Sequence, residues 1–418
     1  MLIDLFEFMT FAFPKAGAQL GVPITIAMFF FLFALLKCQY QVIPVFSKIK
    51  GLSTAYIVFA GCVVISLIFN LGDLSSFQVT AAMVVLASPL AVGIGYSADL
   101  QRALKILAVS LIIAGGYALI QRVAGIVTTA IPGLTYTFGQ DLAAKPIGYG
   151  MAAVGEAQKM PSTYQNGNGA GLFYAMGIPI LLSWVPLSVN WKLVKYLALF
   201  FGFFGLFLSG SRSIMFPFVL LFIFLLILVK NKLSYQKQIL FLSAVFFIAA
   251  LGTLYLMYAN NQFLEGAYAR YIQQTASDPT GAGRTSQFAL AFAQVNQLNE
   301  LGFLRFLLIG LPWNQLDTLE GLLSTLFCYG LFGFIGFLLV FISALYHSFK
   351  MNLLASLGLV CIFLAFMVDG SFNFPPSLMN FFFLTGLLAQ PAYQQAVGKS
   401  EAISSSIGIR LNLRRTNG

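Results

Sequence analysis

Five arginines, Arg122, Arg212, Arg270, Arg284 and Arg305, stand beside or between long apolar runs in a chain of which only 9% is charged. A guanidinium presents a planar fork of N–H donors that matches two phosphate oxygens at once, and the contact strengthens where water is scarce. The chemistry this favours is the grip on a diphosphate and its stabilisation as a leaving group. Arg212 is the sharpest case, because Ser209-Gly210-Ser211-Arg212-Ser213 is a short joint between the apolar runs 195–208 and 214–229. Charge at a helix centre costs roughly 2.5 to 3.5 kcal/mol on insertion scales, so charge near the membrane is usually paired or functional. The competing reading is an interfacial arginine that snorkels to headgroups. For Arg122, Arg270 and Arg305 that alternative is stronger. Arg284, which follows Gly283 and opens an amphipathic stretch, has a helix-terminal salt bridge as its alternative.

The second ingredient is carboxylate. Asp317 and Glu320 precede a late apolar run and Asp369 follows another. Glu320, with Asp317 as substitute, is the candidate general base for a hydroxyl nucleophile. Helix capping is the alternative for both, and Asp369-Gly370-Ser371 reads as a turn. The stretch Thr163-Tyr164-Gln165-Asn166-Gly167-Asn168-Gly169 offers amide side chains and bare backbone to a sugar or phosphate. We assign Tyr164, Asn166, Asn168 and Ser211 to substrate binding on that basis, beside Arg122, Arg270 and Arg305; a plain turn is the alternative. Cys38, Cys62, Cys328 and Cys361 show no metal spacing and the lone His347 sits at the end of an apolar run, so no metal and no cofactor is expected.

These residues must be positioned by a membrane bundle. The 418 residues are 59% hydrophobic, with 44 phenylalanines and a mean hydropathy of +0.88, outside the range of soluble domains. Stretches able to cross about 30 Å of hydrocarbon occur near 20–37, 52–70, 76–97, 103–121, 169–187, 193–209, 213–230, 238–258, 321–345, 353–368 and 377–392. The expectation is an all-α polytopic membrane protein of eleven spans, within a range of ten to twelve, forming one integral membrane domain. Alternating the sides along that order gives one face 15 of the 23 basic residues and 2 of the 13 acids, a surplus of +13 against −3 on the other. The positive-inside rule puts that face, with the basic tail 398–418, in the cytoplasm and the amino terminus outside. Net basicity then reflects topology, not nucleic acid. Residues 1–19 lack a basic region and a cleavage site and read as an interfacial segment. Two outer loops are long: 122–168, and 259–320 between the eighth and ninth spans. The second carries an amphipathic helix with Phe288, Phe292 and Val295 on one face, then an interfacial patch at 301–311 that Arg305 breaks and Pro312 stops.

Taken in order, Gln121-Arg122, the Thr163–Gly169 turn, the Ser209–Ser213 joint, Gly283-Arg284, Leu308-Ile309-Gly310-Leu311 and Gly330-Leu331-Phe332-Gly333 resemble the O-antigen polymerase and ligase superfamily of bacterial envelope glycosyltransferases. The resemblance covers roughly residues 100 to 345. It implies a bundle of the C type of glycosyltransferase that works, without a metal, on undecaprenyl diphosphate-linked glycans at the periplasmic face of the inner membrane. It further implies membrane lipids and a chain-length regulator protein as partners, and no nucleic acid. Some polymerases carry an arginine followed eleven positions later by glycine in two outer loops, as Arg122 to Gly133 and Arg270 to Gly281 do here; about one such hit is expected by chance at this composition. Ligases of the superfamily carry a histidine where this chain has Leu319 and Glu320, a departure that favours repeat-unit polymerisation over ligation to lipid A core or protein. Transport of the lipid-linked glycan is the reading from another class; pseudo-repeats and midplane charge would mark it, whereas the charges here gather at one face.

Overall fold

The computed structural model describes residues 1–72, 76–142, 147, 159–186, 188–229, 273, 276, 284–311, 321–367 and 375–391. It is a helical membrane protein. Among the described residues six helical stretches are long and apolar enough to cross a membrane: 26–48, 52–69, 79–97, 100–124, 189–208 and 324–351. Shorter apolar helices pack among them.

In chain order the elements are α1 (Leu2–Ala12), a hairpin of β1 (Gly17–Leu20) and β2 (Val22–Thr25), α2 (Ile26–Lys48), α3 (Leu52–Phe69), α4 (Ser76–Ala87), α5 (Ala91–Ser97), α6 (Leu100–Ala124) and α7 (Ile126–Thr129). After a 3-10 turn at Ser162–Tyr164 come α8 (Gly167–Ser183), α9 (Val189–Leu208), α10 (Arg212–Val229), α11 (Arg284–Asn296), α12 (Glu300–Ile309), α13 (Ser324–Met351), α14 (Leu353–Phe366) and α15 (Pro375–Leu388). Starts are set by polar caps. The side chains of Thr25, Asp99, Asn166, Ser188, Asn299 and Asn352 each accept a backbone N–H in the first turn of the following helix.

The core lies around α8, all 17 of whose residues are buried, and α15, buried from Pro376 to Leu388. A helix that is apolar on every side belongs inside other helices. Its carboxyl end is held by Lys195 of α9, whose ammonium donates to the carbonyls of Leu182 (3.1 Å) and Trp184 (2.6 Å). That use of a buried cation follows from the excess of unpaired carbonyls at a helix end. By contrast α2 presents Phe29, Leu32, Leu36 and Ile43 outward, as lipid requires.

The first residues depart from expectation. Instead of an interfacial segment, α1 packs inside the bundle, with Phe6 against Phe31 (5.6 Å) and Phe383 (5.8 Å) and Phe11 against Phe173 (5.5 Å). Among the described residues the hairpin after it breaks the all-α reading, and it bonds Gly17 and Gln19 to the backbone of Gly133 and Phe138. Glu7, Pro14 and Lys15 interrupt the apolar run and hide this insertion from hydropathy.

Helix α6, about 36 Å long, defines two ends. Near its start Asp4 stands 3.8 Å from Arg102 and 3.0 Å from the Met1 ammonium, Lys48 lies over Tyr96, Lys105 over Trp191, and Gln390 bonds the carbonyls of Gly95 and Ala98. The first residues thus share the end that carries Lys48, Arg102 and Lys105, opposite to the end expected for them. Near the finish of α6 Gln121 bonds Ser162, and residues 159–168 and 209–212 gather there; Asn70 and residues 305–311 reach the same end through α3, which runs back from the Lys48 end.

Candidate functional site

Two helix starts meet beside the finish of α6. Helix α9 stops at Leu208 and α10 begins at Arg212, leaving three residues for the reversal. Gly210 makes it possible with φ of +62°, a region costly for any side chain. The serines brace it: Ser209 donates to the Leu206 carbonyl (2.7 Å), the Ser211 N–H reaches Ser209 Oγ (3.4 Å), and Ser211 and Ser213 hydroxyls lie 3.3 Å apart. Both Ser209 and Ser211 are fully buried. Ser211 therefore shapes the joint rather than offering a hydroxyl outward.

Helix α8 starts against this joint. A Cβ at Gly167 would fall 2.3 Å from the Ser209 carbonyl oxygen, so only glycine permits the approach. Asn166 caps α8 by accepting the Asn168 N–H at 2.9 Å. The Lys159 side chain runs over both glycines: Cβ groups there would meet its methylenes at 2.8 Å from Gly167 and 3.0 Å from Gly210. Its ammonium donates to Asn168 Oδ1 at 2.9 Å, and Met160 N–H bonds the Leu208 carbonyl. Arg212, half-buried, is the first residue of α10. Two cations therefore stand at the amino-terminal ends of two helices, where the backbone dipole already favours negative charge. That combination complements an anion in charge. Lys159 was missed by sequence reasoning; its role depends on packing across Gly167 and Gly210, and its only local signal is a lysine before Pro161 and the Asn/Gly turn.

The remaining sequence candidates separate. Tyr164 is fully buried, stacks on Phe173 (5.4 Å) and donates its hydroxyl to the Phe11 carbonyl (2.8 Å); burial holds its pKa well above the ordinary tyrosine value. It anchors α1 to the turn. Gln121 pins the same turn, with Oε1 accepting the Ser162 N–H (2.7 Å) and Nε2 donating to the Ser162 carbonyl (3.2 Å). Arg122, half-buried, occupies the last turn of α6, a place the helix dipole favours for a cation. Arg305 lies elsewhere at this end: it donates to Asn70 Oδ1 at 3.1 Å, where α12 docks on α3 and α13. Arg284 opens α11. Arg270, Asp317, Glu320 and Asp369 lie outside the described residues, as do 238–258 and the tail 398–418.

No family model matches this chain, and no curated protein matches it.

Proposed function

We propose that this protein is a metal-independent glycosyltransferase of the bacterial inner membrane that polymerises undecaprenyl diphosphate-linked repeat units into O-antigen or a related surface polysaccharide. The observation that carries the reading is the convergence of Lys159, Arg212 and the starts of α8 and α10 at one end of an apolar bundle. A diphosphate matches that site in charge, and a prenyl chain matches the bundle in solubility.

In the reaction a hydroxyl oxygen of one lipid-linked unit attacks the anomeric carbon of a chain on a second lipid. The bond from that carbon to the diphosphate oxygen breaks, and its electron pair leaves with the diphosphate. Lys159 and Arg212 stabilise the charge that develops there, with Arg284 and Arg122 assisting. The hydroxyl proton passes to Glu320, or to Asp317. Arg270 completes the basic rim, while Arg305 holds the neighbouring α12 junction. Eleven spans in an arrangement of the C type accommodate this chemistry. The Arg212 end faces the periplasm, and the first residues share the cytoplasmic side with Arg102. Membrane lipids and a chain-length regulator are the expected partners.

The experiment is reconstitution with synthetic prenyl diphosphate-linked repeat units. Polymer is expected from the native protein and none from Arg212→Ala at equal membrane level; polymer of ordinary length from that variant refutes the reading. A second reading, transport of the lipid-linked glycan, draws on one observation: Glu7 is a buried acid on α1 with an oxygen that has no hydrogen-bond partner, and ionisable groups among spans often mark transport paths. A null strain separates the possibilities. Polymerase loss leaves single units on the core lipid, ligase loss leaves none, and transport loss strands units at the inner leaflet.

A further inference from the structure

Between the Tyr164 anchor and the Asn166 cap the chain passes through Gln165 with φ of +62°, and Ser162 adopts the same region at +53°. They are the two described residues other than glycine with positive φ. For Ser162 the reason is visible in its paired bonds to Gln121. Gln165 has no such return. Its side chain is 2% exposed, and neither Oε1 nor Nε2 meets a partner. The Thr163 hydroxyl, 1% exposed, is also unpaired.

Stability does not explain this arrangement. A buried amide without partners is worse for folding than leucine of similar size, and a left-handed glutamine adds strain. What the pair offers is one donor–acceptor amide and one hydroxyl, in the turn whose next residues cap α8 and bond Lys159. That set complements a sugar hydroxyl or an acetamido group. A phosphate alone does not need it, since an anion has no donor for the amide oxygen.

We propose that Gln165 and Thr163 form a sugar subsite that reads the first sugar attached to the diphosphate. The proposal rests on the diphosphate reading of the Lys159–Arg212 site and extends it to specificity. Because the amide is sealed from solvent, engagement requires the turn to shift. Gln165 is the point at which the backbone gains by leaving its present conformation, while Ser162 is held by Gln121.

The test uses the purified full chain and two probes, farnesyl diphosphate and the same lipid diphosphate bearing one N-acetylhexosamine. Gln165→Leu is expected to melt at or above the native temperature, to bind farnesyl diphosphate with unchanged Kd, and to bind the glycosylated probe about tenfold more weakly. Gln165→Asn, which keeps an amide but shortens it, is expected to show the same selective loss and serves if the leucine variant does not fold. Arg212→Ala is expected to weaken both probes alike. Native protein that binds the glycosylated probe no better than the bare one, or a Gln165→Leu variant that binds it normally, overturns the subsite while leaving the diphosphate site standing. Native protein that binds neither probe removes both.

Discussion

Two junctions at the same end of the bundle use the same materials: a glycine with positive φ, a serine, an asparagine and an arginine. Where α12 meets α3 and α13, the polar groups close on one another. Ser66 donates to the carbonyls of Ile309 (3.0 Å) and Cys328 (2.7 Å), Leu311 N–H bonds Phe327 (2.7 Å), and Arg305 bonds Asn70. Where α8 meets α9 and α10, Lys159 bonds Asn168 and Arg212 opens α10, while the Gln165 amide and the Thr163 hydroxyl lack partners. A junction whose groups are satisfied is a latch. One that leaves a buried amide and a hydroxyl unpaired has groups that a ligand would satisfy.

Removing the guanidinium from each junction is the strongest way to break this contrast. Arg212→Ala is expected to lower polymer formation at least about a hundredfold, the scale of losing a preorganised cation or donor at developing charge. Arg212→Lys recovers little, because a point charge lacks the bidentate fork. Arg305→Ala is expected to retain activity within about threefold when rates are normalised to folded protein. Equal losses at both positions, measured with reconstituted protein, would erase the distinction.

Glycine substitutions sharpen the contrast from the other side. A Cβ at Gly310, where φ is +86°, would lie 2.3 Å from the Phe327 carbonyl oxygen. Gly310→Ala should destabilise by roughly 2 kcal/mol or more, seen as a lower Tm, with normal turnover per folded molecule. Lost turnover without a change in Tm would make the latch part of the catalytic apparatus. The smaller functional effect belongs to Lys159→Ala, expected at about tenfold in kcat/KM, with Gly167, Gly210 and their helices left undisturbed. An unchanged value would restrict the anion site to Arg212 and the helix ends.

How far the sequence discloses this depends on the range of the interactions. Spans such as 52–69 and 100–124 are legible because about 30 Å of hydrocarbon leaves a direct mark on composition. The joint at Ser209–Ser213 is legible for a similar reason, since glycine, serines and a charge interrupt two apolar runs. Helix α1 is not, because eleven residues broken off by Pro14 and Lys15 fall below any spanning window. Nor is the division of labour among arginines, because only the fold brings the start of α8 to Arg212 and Asn70 to Arg305. Gln165 shows the limit most plainly, because burial without a partner is a property of packing around a turn.

The smallest expected effect concerns Asn70, which is 1% exposed, donates to the Ser66 carbonyl (2.7 Å) and accepts from Arg305. Asn70→Ala removes both bonds, but Arg305 is half-buried and can turn toward water or headgroups. The net cost should be near 1 kcal/mol, read as a drop of a few degrees or less in Tm. Since this junction holds structure, the KM for the glycosylated prenyl diphosphate should not move. A severalfold change in KM with Tm intact would mean that releasing Arg305 alters substrate binding, and the latch would then have to be counted as a second wall of the site.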